Sequence, residues 1–195
     1  MTPQEKDARE TQIAEAAYAL LREKGYGGMS MLAVARKAKA SNETLYRWYG
    51  DKAGLFRMLI TRNVAAVSER LEQVSGERSA QALTELGEVL LELLLSPSAI
   101  ALNRAAAADA SDQLGAVLAE GGRGKVFPRI VRFFNGLSEA GVIRGAPGEV
   151  AELWLDLLVG DLQVRCVTGA MPPPGVADRA ARAAKAQARV LALFG

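Results

Sequence analysis

Residues 28–56 read GMSMLAVARKAKASNETLYRWYGDKAGLF, and the rest of the chain can be interpreted around them. Ser30 is placed to cap a helix whose apolar residues fall on one face: Met31, Val34, Ala35 and Ala38. Ser41 is placed to cap a second helix, in which Leu45, Trp48 and Tyr49 share a face. Helices this short need a neighbour to be stable. Joined by about three residues, they are typical of a helix-turn-helix, whose second helix enters the DNA major groove.

Positive charge is concentrated in this part of the chain. The net charge of all 195 residues is only +2, yet between positions 36 and 62 seven basic residues stand against two acidic ones, Glu43 and Asp51. The basic residues are Arg36, Lys37, Lys39, Arg47, Lys52, Arg57 and Arg62. A solvated surface is the commonest reason for such a cluster. Its coincidence with two capped helices instead indicates a face that binds phosphates.

Composition argues against several other classes of protein. The chain has one cysteine, Cys166, and no histidine, so we expect no internal disulfide, no metal site, no cofactor and no enzymatic activity. The sequence does not open like a secretory signal, and its longest apolar runs are too short to span a bilayer. We therefore expect a cytoplasmic protein without a membrane partner. With 50% hydrophobic residues, the chain can form one large core or two smaller ones.

The remaining segments predict an all-α protein without strands. Residues 1–8 are polar and are expected to fray, and a first helix over residues 9–24 would brace the two motif helices. A long helix is expected from Lys52 to just before Ser75. Six more are predicted, with a flexible glycine-rich connector at residues 121–124. They cover residues 83–94, 98–108, 112–118, 126–140, 150–167 and 176–194.

The last two predicted helices carry more apolar surface than one core can cover. From residue 150 to residue 167, apolar side chains surround nearly the whole circumference, which a surface helix does not show. The final helix places the small residues Ala180, Ala184 and Ala188 along one face. We therefore expect a homodimer formed through these two C-terminal helices.

The motif also resembles a known family. Residues 25–56 contain Gly-Tyr-x-x-x-Ser-Met, then Ala-x-x-Ala, then Ser-x-x-Thr-Leu-Tyr-x-x-Tyr-x-x-Lys-x-x-Leu-Phe, a pattern similar to that of the TetR family of bacterial repressors. The resemblance implies a helix-turn-helix DNA-binding domain at residues 7–67, with the motif at about 30–49. It implies a helical-bundle domain for ligand binding and dimerisation at residues 77–195.

The resemblance further implies roles for single residues. Ser30 would cap its helix beside a phosphate, Thr44 and Tyr46 would contact phosphates or bases, and Leu45 would pack inside. Lys52 would attract phosphate together with the start of its own helix. For Tyr49 a packing role in the core is the alternative. The full set of expected DNA-binding residues is Ser30, Lys39, Ser41, Asn42, Glu43, Thr44, Tyr46, Arg47, Tyr49 and Lys52.

Three residues depart from the family pattern. Lys39 stands where the family usually has glycine, so it either costs free energy at a positive φ, occupies a different turn, or adds a phosphate contact. Asn42 and Glu43 replace small or basic residues. Asn42 can read adenine, and Glu43 can accept from cytosine or interact with the helix dipole. These three positions are where we expect operator preference to be determined.

We expect a transcriptional repressor that dimerises on a palindromic operator in double-stranded DNA and is released by a small, mostly apolar effector in the C-terminal half. The expected pocket residues are Leu90, Leu94, Arg104, Phe127, Val131, Phe134, Trp154, Leu158 and Arg165. For Phe127, Phe134 and Trp154 a packing role in the core is the alternative. Arg104 and Arg165 would pair with a carboxylate such as Asp156 or Asp161, or bind an anionic group of the ligand. The alternative is a ligand-independent or activating regulator whose C-terminal half only dimerises.

Overall fold

The computed structural model describes residues 2–74 and 76–195, without the side chain of Val74. It confirms the all-α prediction, with no strand among the described residues. The helices are α1 (Pro3–Gly28), α2 (Met31–Lys37), α3 (Asn42–Tyr49), α4 (Lys52–Val74), α5 (Ala80–Leu94), α6 (Pro97–Ala107), α7 (Gln113–Gly121), α8 (Arg123–Glu139), α9 (Pro147–Val159), α10 (Leu162–Thr168) and α11 (Val176–Phe194).

The chain forms two compact units. Unit 1 is Met1–Asn63 with Ala101–Gly121, and unit 2 is Val64–Ile100 with Gly122–Gly195. The predicted domains, residues 7–67 and 77–195, are each continuous along the chain, whereas unit 1 takes in a segment from the middle of the second. In the described part of the chain, no helix is long and apolar enough to cross a membrane. No group of three His, Cys, Asp or Glu side chains there could hold a metal ion.

Helix α1 begins earlier than the sequence indicated. Thr2 Oγ1 accepts from the Glu5 N–H at 3.2 Å, and Glu5 Oε2 accepts from the Thr2 N–H at 2.7 Å. This reciprocal capping box, with Pro3 at the first helical position, satisfies backbone donors that would otherwise be unpaired. The expectation that residues 1–8 fray is therefore wrong for residues 2–8, and Met1 lies outside the described residues. Gly25, at φ 67° and ψ 178°, kinks the helix near its end.

The core of unit 1 contains side chains from α1, α2, α3 and α4. The completely buried ones include Ile13, Ala17, Val34, Leu45, Leu55, Phe56 and Leu59. The apolar positions of the two motif helices thus meet those of α1 and α4, which is the bracing that short helices require.

Unit 2 has a separate core where α5, α8, α9 and α11 meet. Its fully buried residues include Leu83, Phe134, Leu137, Val150, Trp154, Leu158, Ala183 and Val190. Helices α5 and α11 approach closely at Gly87, where an added Cβ would lie 3.0 Å from the Cβ of Ala183. Glycine and alanine at this crossing allow the close approach.

Two segments differ from the predicted helices. The single helix expected over residues 150–167 is interrupted between α9 and α10, so that prediction is wrong. Gly160 at this break has φ 49°, and a Cβ there would lie 2.7 Å from Arg182 Nη2. The expected connector at residues 121–124 is largely helical, because α7 extends through Gly121 and α8 begins at Arg123.

Candidate nucleic-acid interface

Serine side chains begin both motif helices, as predicted. Ser30 Oγ accepts from the Ala33 N–H at 3.2 Å, and Ser41 Oγ accepts from the Thr44 N–H at 3.0 Å. Thr44 Oγ1 also lies 2.7 Å from Ser41 Oγ, so the two hydroxyls are hydrogen-bonded at the start of α3. Both serines are exposed. The positive end of α3 therefore faces solvent, where an anionic phosphate can approach it.

Helix α3 has one inner residue and a polar outer face. Leu45 is completely buried, which agrees with its expected packing role. Asn42, Glu43 and Arg47 are exposed, and Tyr46 has half of its surface exposed. Counted from Asn42, the other three residues follow after one, four and five positions, and this spacing places all four side chains on one side of the helix. This side offers amide, carboxylate, phenol and guanidinium groups, all of which can bond base edges or phosphates.

Lys39 forms the corner between α2 and α3 in a left-handed conformation, with φ 50°. The Lys39 N–H donates to the Arg36 carbonyl at 3.3 Å, and the Ala40 N–H donates to the Ala35 carbonyl at 2.9 Å. These two bonds form the motif that usually ends a helix with glycine. Lys39 therefore has the positive φ that was the first explanation considered for a lysine at this position. Its side chain is also exposed.

Lys52 is half-buried at the first position of α4. Its Nζ lies 4.0 Å from the ring centroid of Tyr26, which in turn packs edge-on against Phe56 at 5.6 Å. Burial lowers the pKa of the Lys52 ammonium, because the surrounding protein solvates the charge less well than water. Asp51 caps the same helix, accepting from the Gly54 N–H at 2.7 Å. The aromatic ring thus holds the ammonium at the helix start.

Two members of the basic cluster make contacts within unit 1. Lys37 Nζ lies 2.9 Å from Glu23 Oε1, and this bond lowers the pKa of the Glu23 carboxyl. Arg62 Nη2 donates to Thr11 Oγ1 at 2.7 Å, and Arg62 Nη1 lies 3.5 Å from Asp7 Oδ1. Arg62 therefore joins α4 to α1. Lys37 and Arg62 are thus engaged within unit 1, and the phosphate-binding role inferred from charge for the seven basic residues stays a prediction.

The sequence did not single out two α1 residues that contact the motif. Lys6 Nζ lies 5.9 Å from the ring centroid of half-buried Trp48, and Arg9 Nη1 donates to the Lys39 carbonyl at 3.2 Å. Lys6 was overlooked because α1 was expected to begin only at Arg9, and the bond of Arg9 was overlooked because its partner lies thirty positions away along the chain. The Thr-Pro-x-Glu sequence at residues 2–5 is the helix-start signal that could have extended α1 and brought Lys6 into consideration.

Tyr49 differs from the other expected DNA-binding residues. Its hydroxyl is buried and has no hydrogen-bond partner among the described residues. The hydroxyl is consequently withdrawn from the outer face of α3, which favours the packing alternative for Tyr49 over a DNA contact. Burial raises the pKa of Tyr49 to about 12, with a further contribution from the Glu10 carboxylate. Burial also raises the pKa of Tyr18 to about 12, but the Tyr18 hydroxyl donates to the Leu59 carbonyl at 2.8 Å.

These two tyrosines form a matched pair for mutation. We expect Tyr49→Phe to leave the free energy of unfolding unchanged or raise it by up to about 1 kcal/mol, because it removes an unbonded buried hydroxyl. Tyr18→Phe should lower it by about 1 kcal/mol, because it breaks the bond to Leu59. Urea unfolding at pH 8 measures both values. A loss for Tyr49→Phe as large as that for Tyr18→Phe would contradict the assignment.

The same pair predicts how stability depends on alkaline pH. A folded-state pKa of about 12 exceeds the ordinary tyrosine pKa of 10.0, so only the unfolded chain ionises readily between these values. The stability that each neutral phenol contributes is complete below pH 10 and is lost as pH rises towards 12. Each phenylalanine variant should therefore reduce the fall in melting temperature between pH 9 and 11.5. An unchanged fall in both variants would refute the prediction.

The residues expected to line an effector pocket lie in different environments. Leu90, Phe134, Trp154 and Leu158 are buried in the core of unit 2, and Phe127 and Val131 pack against it. Leu94 is half-buried at the end of α5, and Arg104 is exposed in the part of α6 that belongs to unit 1. Arg165 is exposed, and its Nη1 lies 3.9 Å from Asp161 Oδ2. Asp161 is one of the two carboxylates with which Arg165 was expected to pair.

Unit 2 contains a cavity of about 370 Å³ between α4, α5 and α8. Its apolar lining comes from Leu71, Leu86, Ile130 and Phe133. Two ion pairs stand at its rim, Arg78 with Glu139 and Arg129 with Glu72, each at 2.7 Å. A second cavity, of about 480 Å³, lies beside Leu91 and Leu162 and the proline run 172–174. In the described chain, neither cavity is lined by a residue of the expected pocket set.

Family models match both halves of the chain. Residues 13–59 match the model described as bacterial regulatory proteins, tetR family, and this range contains α2 and α3. Residues 81–195 match the model described as AefR-like transcriptional repressor, C-terminal domain. The HTH-type transcriptional regulator YdeS of Bacillus subtilis (strain 168) is 30% identical over 161 residues, which cover 80% of this chain and 78% of YdeS.

Solved structures share the same fold. A TetR-family transcriptional regulator from Mesorhizobium loti MAFF303099 has 25% identity and a TM-score of 0.86, and the match covers 100% of both chains. A TetR transcriptional regulator from Agrobacterium tumefaciens has 28% identity and a TM-score of 0.78, covering 100% of this chain and 96% of the other. The likeness therefore extends over the full length described above.

Proposed function

The chain belongs to the TetR family of bacterial transcriptional regulators, and from this premise we propose that it is a homodimeric repressor released from a palindromic operator by a small, mostly apolar effector. Members of this family regulate transcription by binding DNA and are not enzymes. The observation that carries the proposal is the outer face of α3. There Asn42, Glu43, Tyr46 and Arg47 are exposed together, beside the solvent-facing start of the helix.

The proposed DNA contacts combine two kinds of interaction. Tyr46 and its neighbours on α3 would meet base edges and phosphates, while Ser30, Thr44 and Lys52 would position the unit on the DNA backbone. Lys39 would add a phosphate contact from the corner. Tyr49 is left out of this set because its hydroxyl is buried.

We expect Tyr46→Ala and Lys52→Ala each to weaken DNA binding by about tenfold. Tyr46→Ala removes one contact of about 1–3 kcal/mol, and Lys52→Ala removes one positive charge that pairs with a phosphate. The probe is a duplex that the wild-type protein enriches from a random-sequence pool, with binding followed by fluorescence anisotropy. Lys52→Ala should also reduce the slope of log K against log[salt] by about 0.9. Lys125→Ala removes an exposed lysine of unit 2 and should bind like wild type. Unchanged binding by both test variants would refute these assignments.

The proposal of a dimer is supported by the outer surface of the C-terminal helices. Ala183, Ala186 and Val190 of α11 are buried within the subunit, while Ala184 and Ala188 face outwards. Three large apolar side chains of α10 and α11 are also exposed: Val164, Val176 and Leu193. A symmetric dimer through this surface would present two copies of α3 and so require a roughly palindromic operator. Sedimentation equilibrium showing a monomer at micromolar concentration would contradict this.

The proposal of an effector is supported by the cavity to which Leu71, Leu86, Ile130 and Phe133 contribute the apolar lining. Its polar lining comes from Glu72, Arg78, Arg129, Arg132, Asn135 and Glu139. Its volume of about 370 Å³ lies within the range of small-molecule sites, about 300–1,000 Å³. A ligand changes DNA affinity only through its different affinity for two conformations, commonly about 1–3 kcal/mol of coupling. Within the described residues, none of the pocket residues expected from sequence lines this cavity, so their contact with an effector stays a prediction.

Thermal unfolding with a panel of small aromatic and aliphatic compounds tests for an effector. A compound that raises the melting temperature of the wild type, but not of an Ile130→Trp variant with a filled cavity, should also weaken binding of the selected duplex. If no compound does so while the duplex is still bound, the alternative holds. The protein would then be a ligand-independent or activating regulator whose C-terminal half only dimerises.

A further inference from the structure

One arginine of α1 contacts the corner between α2 and α3. Arg9 is half-buried, and its Nη1 donates to the Lys39 carbonyl oxygen at 3.2 Å. The same nitrogen donates to Gln12 Oε1 at 3.2 Å, three residues further along α1. Gln12 thus orients the guanidinium towards the corner. The carbonyl that accepts from Arg9 belongs to the residue at φ 50°.

The left-handed conformation of Lys39 needs support from its surroundings. A residue with a Cβ is disfavoured at positive φ, whereas glycine adopts it readily. The N–H groups of Lys39 and Ala40 are held by carbonyls of α2. The Lys39 carbonyl lies in the same peptide plane as the Ala40 N–H, so the bond from Arg9 adds a second restraint to that plane, and this one comes from α1. The plane so held directs the chain into α3.

We propose that Arg9 is a positioning residue for DNA recognition, which holds the left-handed corner at Lys39 and so sets the direction of α3. This inference rests on the proposed DNA-binding function. Arg9 and Lys39 also line one shallow groove of unit 1, together with Lys37. A direct contact of Arg9 with a DNA phosphate is therefore the alternative that an experiment must separate from positioning.

The test compares Arg9→Ala in three full-length backgrounds: wild type, Lys39→Ala and Lys39→Gly. The last two both lack the lysine charge, but only glycine relieves the strain at positive φ. In the wild-type and Lys39→Ala backgrounds, Arg9→Ala should speed amide hydrogen exchange of residues 36–41 about fivefold, because one hydrogen bond is lost. It should weaken binding of the selected duplex by a similar factor. In Lys39→Gly both changes should be less than about twofold.

Arg22→Ala is the matched control, because it removes an exposed arginine from the same helix. It should change neither measurement. The inference is overturned if Arg9→Ala leaves exchange at residues 36–41 unchanged in wild type. It is also overturned if the loss of binding is the same in all backgrounds and the salt slope falls by about 0.9, the signature of a phosphate contact. If no duplex is enriched, the DNA-binding function fails, while hydrogen exchange still decides the role of Arg9.

Discussion

Leu45→Ala is expected to abolish specific DNA binding and to lower the free energy of unfolding of unit 1 by about 3 kcal/mol. Within α3, all of whose eight residues are described, Leu45 alone is fully buried, at 0% exposure. A helix of this length is not stable in isolation. Removing the leucine side chain leaves a cavity between α3 and the core, at the fully buried residue of this helix. The outer face of α3 would then lose its fixed orientation towards DNA.

Leu32→Ala is the matched control for this prediction. Leu32 lies on the neighbouring helix α2 with 47% of its surface exposed, so truncating it should change stability by less than about 0.5 kcal/mol. Urea unfolding combined with hydrogen exchange of α2 and α3 measures stability, and anisotropy with the selected duplex measures binding. Wild-type affinity in Leu45→Ala would show that α3 does not depend on this anchor for its position.

Trp154→Ala is expected to lower the free energy of unfolding of unit 2 by about 4 kcal/mol. Its side chain has 0% exposure, and its ring centroid lies 5.4 Å from that of Phe134. Alanine would remove the largest side chain of this core and leave a cavity that the surrounding helices α5, α8 and α9 can close only partly. Loss of this core would also loosen α11, since α11 packs against α5 and α9.

Trp154→Phe separates packing from hydrogen bonding at the same position. The Trp154 Nε1 donor is buried and has no hydrogen-bond partner within the described residues. Phenylalanine keeps much of the ring volume and removes that unpaired donor, so we expect a loss of less than about 1.5 kcal/mol. Denaturant unfolding followed by circular dichroism measures both variants. A loss for phenylalanine equal to that for alanine would mean that the indole N–H has a partner that stabilises it.

Much of the fold followed from short-range patterns. Serine caps at positions 30 and 41, and the apolar spacing after each, were enough to place α2 and α3, because caps and helical faces depend on residues three or four positions apart. The sequence missed the start of α1 and the break at Gly160. Between residues 150 and 167 apolar residues occupy nearly every face, so periodicity gave no sign of an interruption. At the break, Arg182 of α11 donates to the Leu158 carbonyl at 2.9 Å, a contact that no local pattern shows.

The candidate site was predicted in part for the same reason. The exposed residues of α3 follow from the position of Leu45, since opposite faces of one helix are related by its period. Whether a side chain points outwards at the end of that helix is decided by distant neighbours. The Tyr49 hydroxyl is buried, although the sequence left packing and DNA contact equally open for it, and Arg62, which was counted in the basic cluster, bonds Thr11 of α1.

The sequence by itself determined the helix-turn-helix, the identity of its second helix, the all-α class and the family, because each depends on local spacing. Only the tertiary structure decided how the charges and hydroxyls are used. It brings Arg9 to the carbonyl of Lys39, thirty residues away along the chain, and it buries four of the nine pocket candidates, Leu90, Phe134, Trp154 and Leu158, in the core of unit 2. The reason is physical: a hydrogen bond or a cavity requires groups from different helices at defined distances, and these distances are fixed only when the helices pack.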